Sequence, residues 1–278
     1  MKVVLNYGLK YIHEGAFYNS NIIGSMLVST YNDSYNTLNI NNSVWDKDYV
    51  LVIPASVEYI APKCFYDCDN IYHVVIRSDK ITTLHDGTFS NIRSTKKPNE
   101  GNIRSFTFMK NITKFDNAIS GTFSNENKTD ERLQANTDNV FYYGTIHDWL
   151  NIDFINCYLG GNLYCLSTAS STTPTLTTAL TITSGYSKIK QYSLMDNKSL
   201  TSVKTDNINE LTIEGNAFNR CQAASYDFSK CSKLIVSYRS FFKCPGTFKF
   251  DTVHFKGESS AFERCTNLTT INLHTDTT

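Results

Sequence analysis

The sequence has no excess of charge of either sign. Its 278 residues include 26 lysines and arginines and 26 aspartates and glutamates, and only 19% of all residues are charged. A protein that binds nucleic acid mainly through phosphates needs a basic excess, so nucleic acid is not expected as a partner. A run of about 18 uncharged apolar residues is also absent, so neither a transmembrane helix nor membrane insertion is predicted.

A secretory signal is also missing from the first residues. Asn6, Lys10 and His13 interrupt the early apolar run, so no signal peptide is predicted in this chain. Either the protein is not exported by that route, or the chain is a fragment of a longer protein.

Cysteine is too sparse for a disulfide scaffold, with eight in the chain. Cys64 and Cys68 have the spacing of half a zinc site, but no second close pair follows and the six histidines do not cluster. Reduced, packed thiols are therefore preferred over disulfides or a metal. No glycine-rich phosphate loop, nucleophile elbow or HExxH helix occurs, so no cofactor and no catalytic residue is predicted.

The chain is rich instead in aromatic residues, with 17 Tyr and 17 Phe, many of them in a repeat. Two segments share five residues at identical offsets: Phe65, Cys68, Ile71, Val74 and Ile76 in the first, and Phe262, Cys265, Leu268, Ile271 and Leu273 in the second. Further copies begin at residues 17, 89, 123, 194, 218 and 241. The unit is 21–24 residues long, and the 48 residues between positions 17 and 65 are interpreted as two units.

Each unit ends in a Val-x-Ile alternation, which is typical of a short strand with one buried face. The Phe-x-x-Cys part suits an irregular or short helical arc behind that strand. Because one unit cannot bury its apolar side alone, the units are expected to stack into a β-rich, leucine-rich-repeat-like solenoid, with strands on one face and arcs on the other. The residues predicted to form its internal ladders are Phe17, Phe65, Phe89, Phe123, Phe218, Phe241 and Phe262, with Cys68, Cys221, Cys244 and Cys265.

The copies divide the chain into three parts. An N-terminal repeat block spans 1–126 and includes an irregular segment at 29–50. An insertion with a low-complexity link follows at 127–180, and a C-terminal repeat block occupies 181–278.

The frame V-x-x-I-x-x-x-A-F-x-x-C-x-x-L-x-x-V-x-I resembles the BspA-like, or Treponema-type, leucine-rich repeats. IPASVEYIAPKCFYDC (53–68) looks like one unit of that family, and VFYYGTIHDWLNIDF (140–154) looks like an interruption that recurs in it. The resemblance implies binding, since bacterial members resemble surface proteins and adhesins and similar repeats occur in phage virions. It leaves two settings open. The chain is expected to be an extracellular or cell-surface part of a longer exported protein, or a phage virion protein, which needs no signal.

A solenoid exposes alternate strand residues as an extended face, which we expect to bind a protein or a glycan. The residues placed on that face are His73, Val75, Arg77, Thr107, Ser202, Lys204, Asp206, Thr270 and Asn272. Five of them are the candidate ligand-binding residues: His73, Arg77, Lys204, Asp206 and Asn272.

The insertion supplies a second candidate site, because Phe141, Tyr142, Tyr143 and Trp149 lie within nine residues. Tyr142, Tyr143 and Trp149 are predicted ligand contacts, since aromatic groups with polar handles are common binding anchors. The alternative is that these rings close the break between the two repeat blocks. No aromatic concentration is expected on the arc side.

Together these patterns favour a non-enzymatic recognition module, and the family resemblance implies a role in adhesion. A structural or assembly component without a ligand is the second hypothesis, and an enzyme with a pocket in 127–166 is the third. No polar cap is apparent after the last Phe, so self-association or a partner at that solenoid end is also expected.

Overall fold

The computed structural model describes residues 2–3, 5–21, 24–25, 50–68, 71–90, 92, 103–119, 139–250 and 254–268. Its elements are almost all short strands. Those of the first part are β1 (Lys2–Val3), β2 (Tyr11–Ile12), β3 (Gly24–Ser25), β4 (Val50–Ile53), β5 (Tyr59–Ile60), β6 (His73–Ile76), β7 (Thr83–Leu84), β8 (Ser105–Met109), β9 (Lys114–Asp116), β10 (Asn139–Thr145), the helical turn α1 (Ile146–Trp149), β11 (Asp153–Ile155), β12 (Asn162–Leu166) and β13 (Thr175–Leu176). Those of the second part are β14 (Ala179–Thr183), β15 (Lys188–Ile189), β16 (Ser202–Asp206), β17 (Ile208–Ile213), β18 (Ser225–Asp227), β19 (Cys231–Val236), β20 (Thr247–Lys249) and β21 (His254–Gly257).

Strands from successive repeats pair in parallel, as a stacked solenoid requires. The first part has a six-stranded sheet in the order β13-β12-β10-β8-β6-β4, in which only the β12–β13 pair is antiparallel. The second part has two four-stranded parallel sheets, β14-β16-β18-β20 and β15-β17-β19-β21. Each repeat, which forms one coil of the solenoid, therefore adds one strand to each of these two sheets. The predicted β-rich repeat solenoid is confirmed.

The arcs are linked by a regular backbone ladder. We call the residue that begins each repeat copy its anchor. The N–H of an anchor donates to the carbonyl just before the next anchor: Phe65 to Thr88, Leu194 to Ala217, Phe218 to Ser240 and Phe241 to Ala261. Positive φ angles recur two residues before and two residues after the anchors, as at Lys63 (54°) and Asp67 (61°) around Phe65. The arcs thus repeat a single backbone conformation, although few of these positions carry glycine.

Inside the arcs the phenylalanines stack face to face. Phe65 lies between Phe17 and Phe89, with ring centroids 5.2 and 5.4 Å apart, and Phe241 lies 5.2 Å from both Phe218 and Phe262. Phe65, Phe89, Phe218 and Phe241 are fully buried, as predicted. They belong to one apolar core that runs from Ile12 to Ala261.

Three details of the predicted register are corrected. Phe17 and Phe262 are half-buried rather than buried, and each lies at an end of the face-to-face stack formed by the described phenylalanines. Phe17 stacks directly on Phe65 and β2 pairs directly with β5, so the 48-residue spacing is one step on the arc side, not two. Phe123 lies outside the described residues, and the Phe89 N–H bonds to the Ala118 carbonyl, which makes Ile119 the next anchor.

Candidate functional site

The N-terminal part of the predicted strand face is buried, so the exposure predicted there is wrong. His73, Val75, Arg77 and Thr107 are 7%, 2%, 8% and 4% exposed. The His73 Nδ1 atom shares a 3.0 Å hydrogen bond with the Ser105 hydroxyl on the next strand. The physical reason is visible in VLVI of β4 and HVVI of β6, since near-continuous apolar runs are typical of strands buried on both faces. His73 and Arg77 are therefore unsuited to meeting a ligand.

The C-terminal strand face is open and polar. Lys204 and Asp206 are exposed on β16, as expected from the alternation. Across the sheet, Asp227 on β18 lies between Lys204 on β16 and Lys249 on β20. Burial disfavours the charged form of Asp227, but hydrogen bonds from Ser229 and the nearby lysines outweigh it and lower the carboxyl pKa. This face carries interleaved charges at neutral pH. Thr270 and Asn272 lie outside the described residues.

Two aromatic residues of the insertion belong to the core, so Tyr142 and Trp149 cannot act as the predicted ligand contacts. Both are 1% exposed, and their rings meet edge to face at 5.6 Å. The Trp149 Nε1 group donates to the Ser193 carbonyl at 2.7 Å, which ties α1 to the C-terminal repeats. A capping box between Thr145 and Asp148 starts this turn and orients the tryptophan inward. The geometry favours the alternative in which these rings close the break.

Tyr143, in contrast, is half-exposed on the outward side of β10. On the same side Phe141 stacks on Tyr164 of β12, with ring centroids 4.6 Å apart. Phe141 and Tyr164 are also half-exposed, and their neighbour Leu176 on β13 is 46% exposed. The insertion therefore presents a small aromatic surface, although not through the residues that sequence reasoning favoured.

The expectation that the arc side has no aromatic concentration is wrong. Tyr11 of β2 lies opposite Tyr59 of β5, and Tyr18 stacks on Tyr66 with centroids 5.2 Å apart and ring planes 7° from parallel. Tyr11, Tyr18 and Tyr59 are 53%, 51% and 41% exposed. We call Tyr11, Tyr18, Tyr59 and Tyr66 the tyrosine face. Its signal was present in the sequence, because YIHEGAFY (11–18) and YIAPKCFY (59–66) place both tyrosines at identical offsets from Phe.

An ion-pair chain of two lysines and one glutamate borders the tyrosine face. The Glu58 carboxylate lies 3.3 Å from the Lys10 ammonium and 3.5 Å from the Lys80 ammonium. The hydrogen bond from Lys10 is the main cause of a lowered Glu58 pKa, while burial opposes it. The His85 ring lies 5.1 Å from that of Tyr59. The result is an aromatic surface with polar hydroxyls and paired charges at its border.

The family follows from comparison with known proteins. A pattern described as "BspA type Leucine rich repeat region" matches residues 1–130 and 171–278 in six copies, which is most of the chain. The chain belongs to this BspA-type leucine-rich repeat family. A solved structure, a leucine-rich repeat protein from Bacteroides ovatus, is 18% identical with a TM-score of 0.30. The alignment covers 81% of this chain and 66% of that one. No curated protein matches the chain.

The family match leaves out residues 131–170 of this BspA-type chain. Nevertheless β10 pairs with β8 and with β12, so this part continues the six-stranded sheet. A backbone bridge from Gly161 to Asn197 then links it to the C-terminal repeats. The half-exposed aromatic surface around Phe141 thus belongs to a segment that differs from the family repeat.

The BspA-type cysteines form hydrogen-bonded internal ladders. All eight lie in the described part of the chain as thiols, and Cys68, Cys221 and Cys244 are buried as predicted, whereas Cys265 is half-buried. The thiols of Cys68, Cys244 and Cys265 donate to the carbonyl of the preceding anchor at 2.9, 2.9 and 2.8 Å. Burial raises the pKa of Cys221 to about 11 and that of Cys244 well above its usual range. Such thiols pack and donate rather than react.

In the part of the chain that the structure describes, no group of three or more His, Cys, Asp and Glu side chains is arranged to hold a metal ion. The same part contains no helix with the length and apolar character needed to cross a membrane.

Proposed function

We propose that this chain is a non-enzymatic recognition module that binds a protein or glycan partner through the tyrosine face. The observation that carries the proposal is the exposure of two tyrosine pairs, Tyr11 with Tyr59 and Tyr18 with Tyr66, each aligned across neighbouring coils. Of the seven large apolar or aromatic side chains that are exposed in the described residues, four are tyrosines within the first 59 residues. Single exposed rings are common, but an aligned group rimmed by charged residues is typical of an interaction surface.

The tyrosine face also has the chemistry of a binding surface. A tyrosine offers a rigid ring at low entropic cost and a hydroxyl that can donate or accept. Covering the exposed half of one such ring would contribute about 1 kcal/mol from apolar area. Three such rings, together with Tyr66, supply enough area to anchor a partner without a deep pocket.

Family membership supports a surface setting and a protein-interaction role for the chain. The finer setting, on a bacterial cell or in a phage virion, is part of this proposal. Antibody detection of the chain in washed cell envelopes and in purified phage particles separates the two. Detection only in soluble cell contents would contradict both settings.

The test is binding of the purified chain to a glycan array and to a panel of cell-surface proteins. The Tyr18→Ala/Tyr59→Ala variant is expected to lose the interactions that the wild type shows, and Leu176→Ala, which removes an equally exposed side chain elsewhere, is expected to keep them. Lys204→Ala/Asp206→Ala tests the polar strand face in the same assay. Loss of binding in that variant alone would move the site to the strand face. A wild type that binds nothing would favour a structural or assembly role.

A further inference from the structure

Two rings of the tyrosine face are stacked on each other as well as open to solvent. Tyr18 and Tyr66 lie 48 residues apart in the chain, yet their ring centroids are 5.2 Å apart and their ring planes are 7° from parallel. Tyr18 is 51% exposed and Tyr66 is half-exposed. The solenoid therefore brings two phenols together at a place that a dissolved oxidant can reach.

The backbone on both sides of Tyr18 fixes the register of this pair. The Phe17 N–H donates to the Cys64 carbonyl at 3.0 Å. The Asn19 N–H donates to the Tyr66 carbonyl at 2.9 Å. Beneath the pair, the phenylalanine stack of the core has the same centroid spacing, 5.2 Å. The two phenols are thus held side by side by the same contacts that stack the coils.

The next coil supports the Tyr66 ring from its other side. A Cβ atom at Gly87 would lie 3.3 Å from this ring, so the missing side chain lets the ring rest against the glycine. Gly87 also has a φ of 66°, which a glycine adopts without steric cost. Tyr66 is therefore backed on one side and meets Tyr18 on the other.

We propose that Tyr18 and Tyr66 form an oxidative cross-link, a dityrosine that joins the coil of β2 to the coil of β5. A one-electron oxidant, such as a haem peroxidase supplied with hydrogen peroxide, removes one electron and one proton from each phenol. The two phenoxyl radicals combine through a carbon–carbon bond between ring positions next to the hydroxyls. The hydrogen at each of these carbons then moves to the phenol oxygen, which restores both aromatic rings. One hydrogen peroxide molecule takes up the two electrons and two protons and becomes two water molecules.

Proximity favours this pair over other coupling partners. Two radicals held side by side in one chain combine without first losing translational freedom, unlike radicals on separate chains. Tyr11 and Tyr59 also lie opposite each other, but the Tyr59 ring contacts His85 rather than Tyr11. Cys64 and Cys68 on the same arc are fully buried, so a dissolved oxidant meets the phenols before these thiols.

The experiment is oxidation of the whole chain at low concentration by a haem peroxidase and hydrogen peroxide. Dityrosine fluorescence should appear in the monomer band of a denaturing gel. Peptide mass spectrometry should find the Tyr18 and Tyr66 peptides joined, with a mass two hydrogen atoms below their sum. Tyr18→Phe and Tyr66→Phe keep a stacked ring but remove one phenol, so each should lose the joined peptide, whereas Tyr11→Phe should keep it. Dityrosine found only between chains, or formed equally between other tyrosines, would overturn the proposal.

A matched variant tests whether stacking across coils selects the partners. Phe141 stacks on Tyr164 of the neighbouring strand with centroids 4.6 Å apart, and both rings are half-exposed. Phe141→Tyr gives this stack a second phenol and should produce a second joined peptide that the wild type lacks. Failure of this variant to cross-link would contradict the premise that stacked, exposed phenols couple.

The bond should also stabilise the fold. A bond that closes a 48-residue span removes conformational entropy from the unfolded chain, so oxidised wild type should melt at a higher temperature than Tyr18→Phe oxidised in parallel. Equal melting temperatures would contradict a role in joining the coils. No partner is present in these measurements, so their outcome is independent of the recognition proposed for the tyrosine face.

Discussion

Replacing one ring in the phenylalanine stack should destabilise the protein strongly. Phe65 is fully buried between Phe17 and Phe89. Removing a buried phenylalanine ring loses about 2–3 kcal/mol of apolar transfer free energy. Each lost stacking contact adds about 0.5–1.5 kcal/mol. Phe65→Ala should therefore lower the free energy of unfolding by about 3–5 kcal/mol, in line with measured Phe→Ala changes in cores.

The assay is equilibrium urea unfolding followed by far-ultraviolet circular dichroism, with two comparison variants. Phe17→Ala removes a half-buried ring with one stacking contact and should cost about 2 kcal/mol. Phe65→Leu keeps most of the volume but not the stacking, and should cost about 1 kcal/mol. A loss below about 1 kcal/mol for Phe65→Ala, or an equal loss for Phe17→Ala, would refute the stacked-core reasoning.

Three further outcomes follow from the contacts. Trp149→Ala should lower the melting temperature and cost about 3–5 kcal/mol, because the ring is buried and its N–H is bonded; an unchanged melting temperature would contradict a core role. Asp196→Ala should lower the free energy of unfolding by about 3 kcal/mol, because the half-buried Arg220 guanidinium loses its carboxylate partner. Asp196→Ala/Arg220→Met should recover part of this loss, as measured by thermal unfolding. Burial raises the pKa of Cys157 and Cys221 from 9.0 to about 11, so the protonated thiols favour the folded state. The contribution of these two thiols to the unfolding free energy should be constant below about pH 9 and be lost as the pH rises toward 11, and an unfolding free energy that rises over that interval would contradict this sign.

The repeat frame could be predicted because the anchor residues make the same packing contacts in every coil. A phenylalanine at the anchor and a cysteine three residues later recur where the ring stacks and the thiol reaches the preceding carbonyl. These requirements are local to one unit and its neighbour, so they leave a regular trace in the sequence. Ile119 was missed as an anchor because an isoleucine can replace the ring without changing the backbone ladder.

The candidate sites were harder to predict, because exposure depends on the whole assembly of coils. Alternation in one strand shows which residues share a face, but not whether that face is covered, and this is why His73 was misplaced. Trp149 shows the same limit, since an aromatic cluster in sequence has the same appearance whether it binds a ligand or fills a junction. The tyrosine face could have been found, because its residues repeat at fixed offsets from Phe17 and Phe65.

The most direct test of recognition through the tyrosine face is a tyrosine nitration footprint of the chain with and without its bound partner. In the free protein Tyr11, Tyr18 and Tyr59 should be modified readily, together with the exposed Tyr238. With the partner bound, the first three should be protected and Tyr238 should remain reactive. Equal modification of Tyr18 and Tyr59 in the free and bound states would contradict the proposed site.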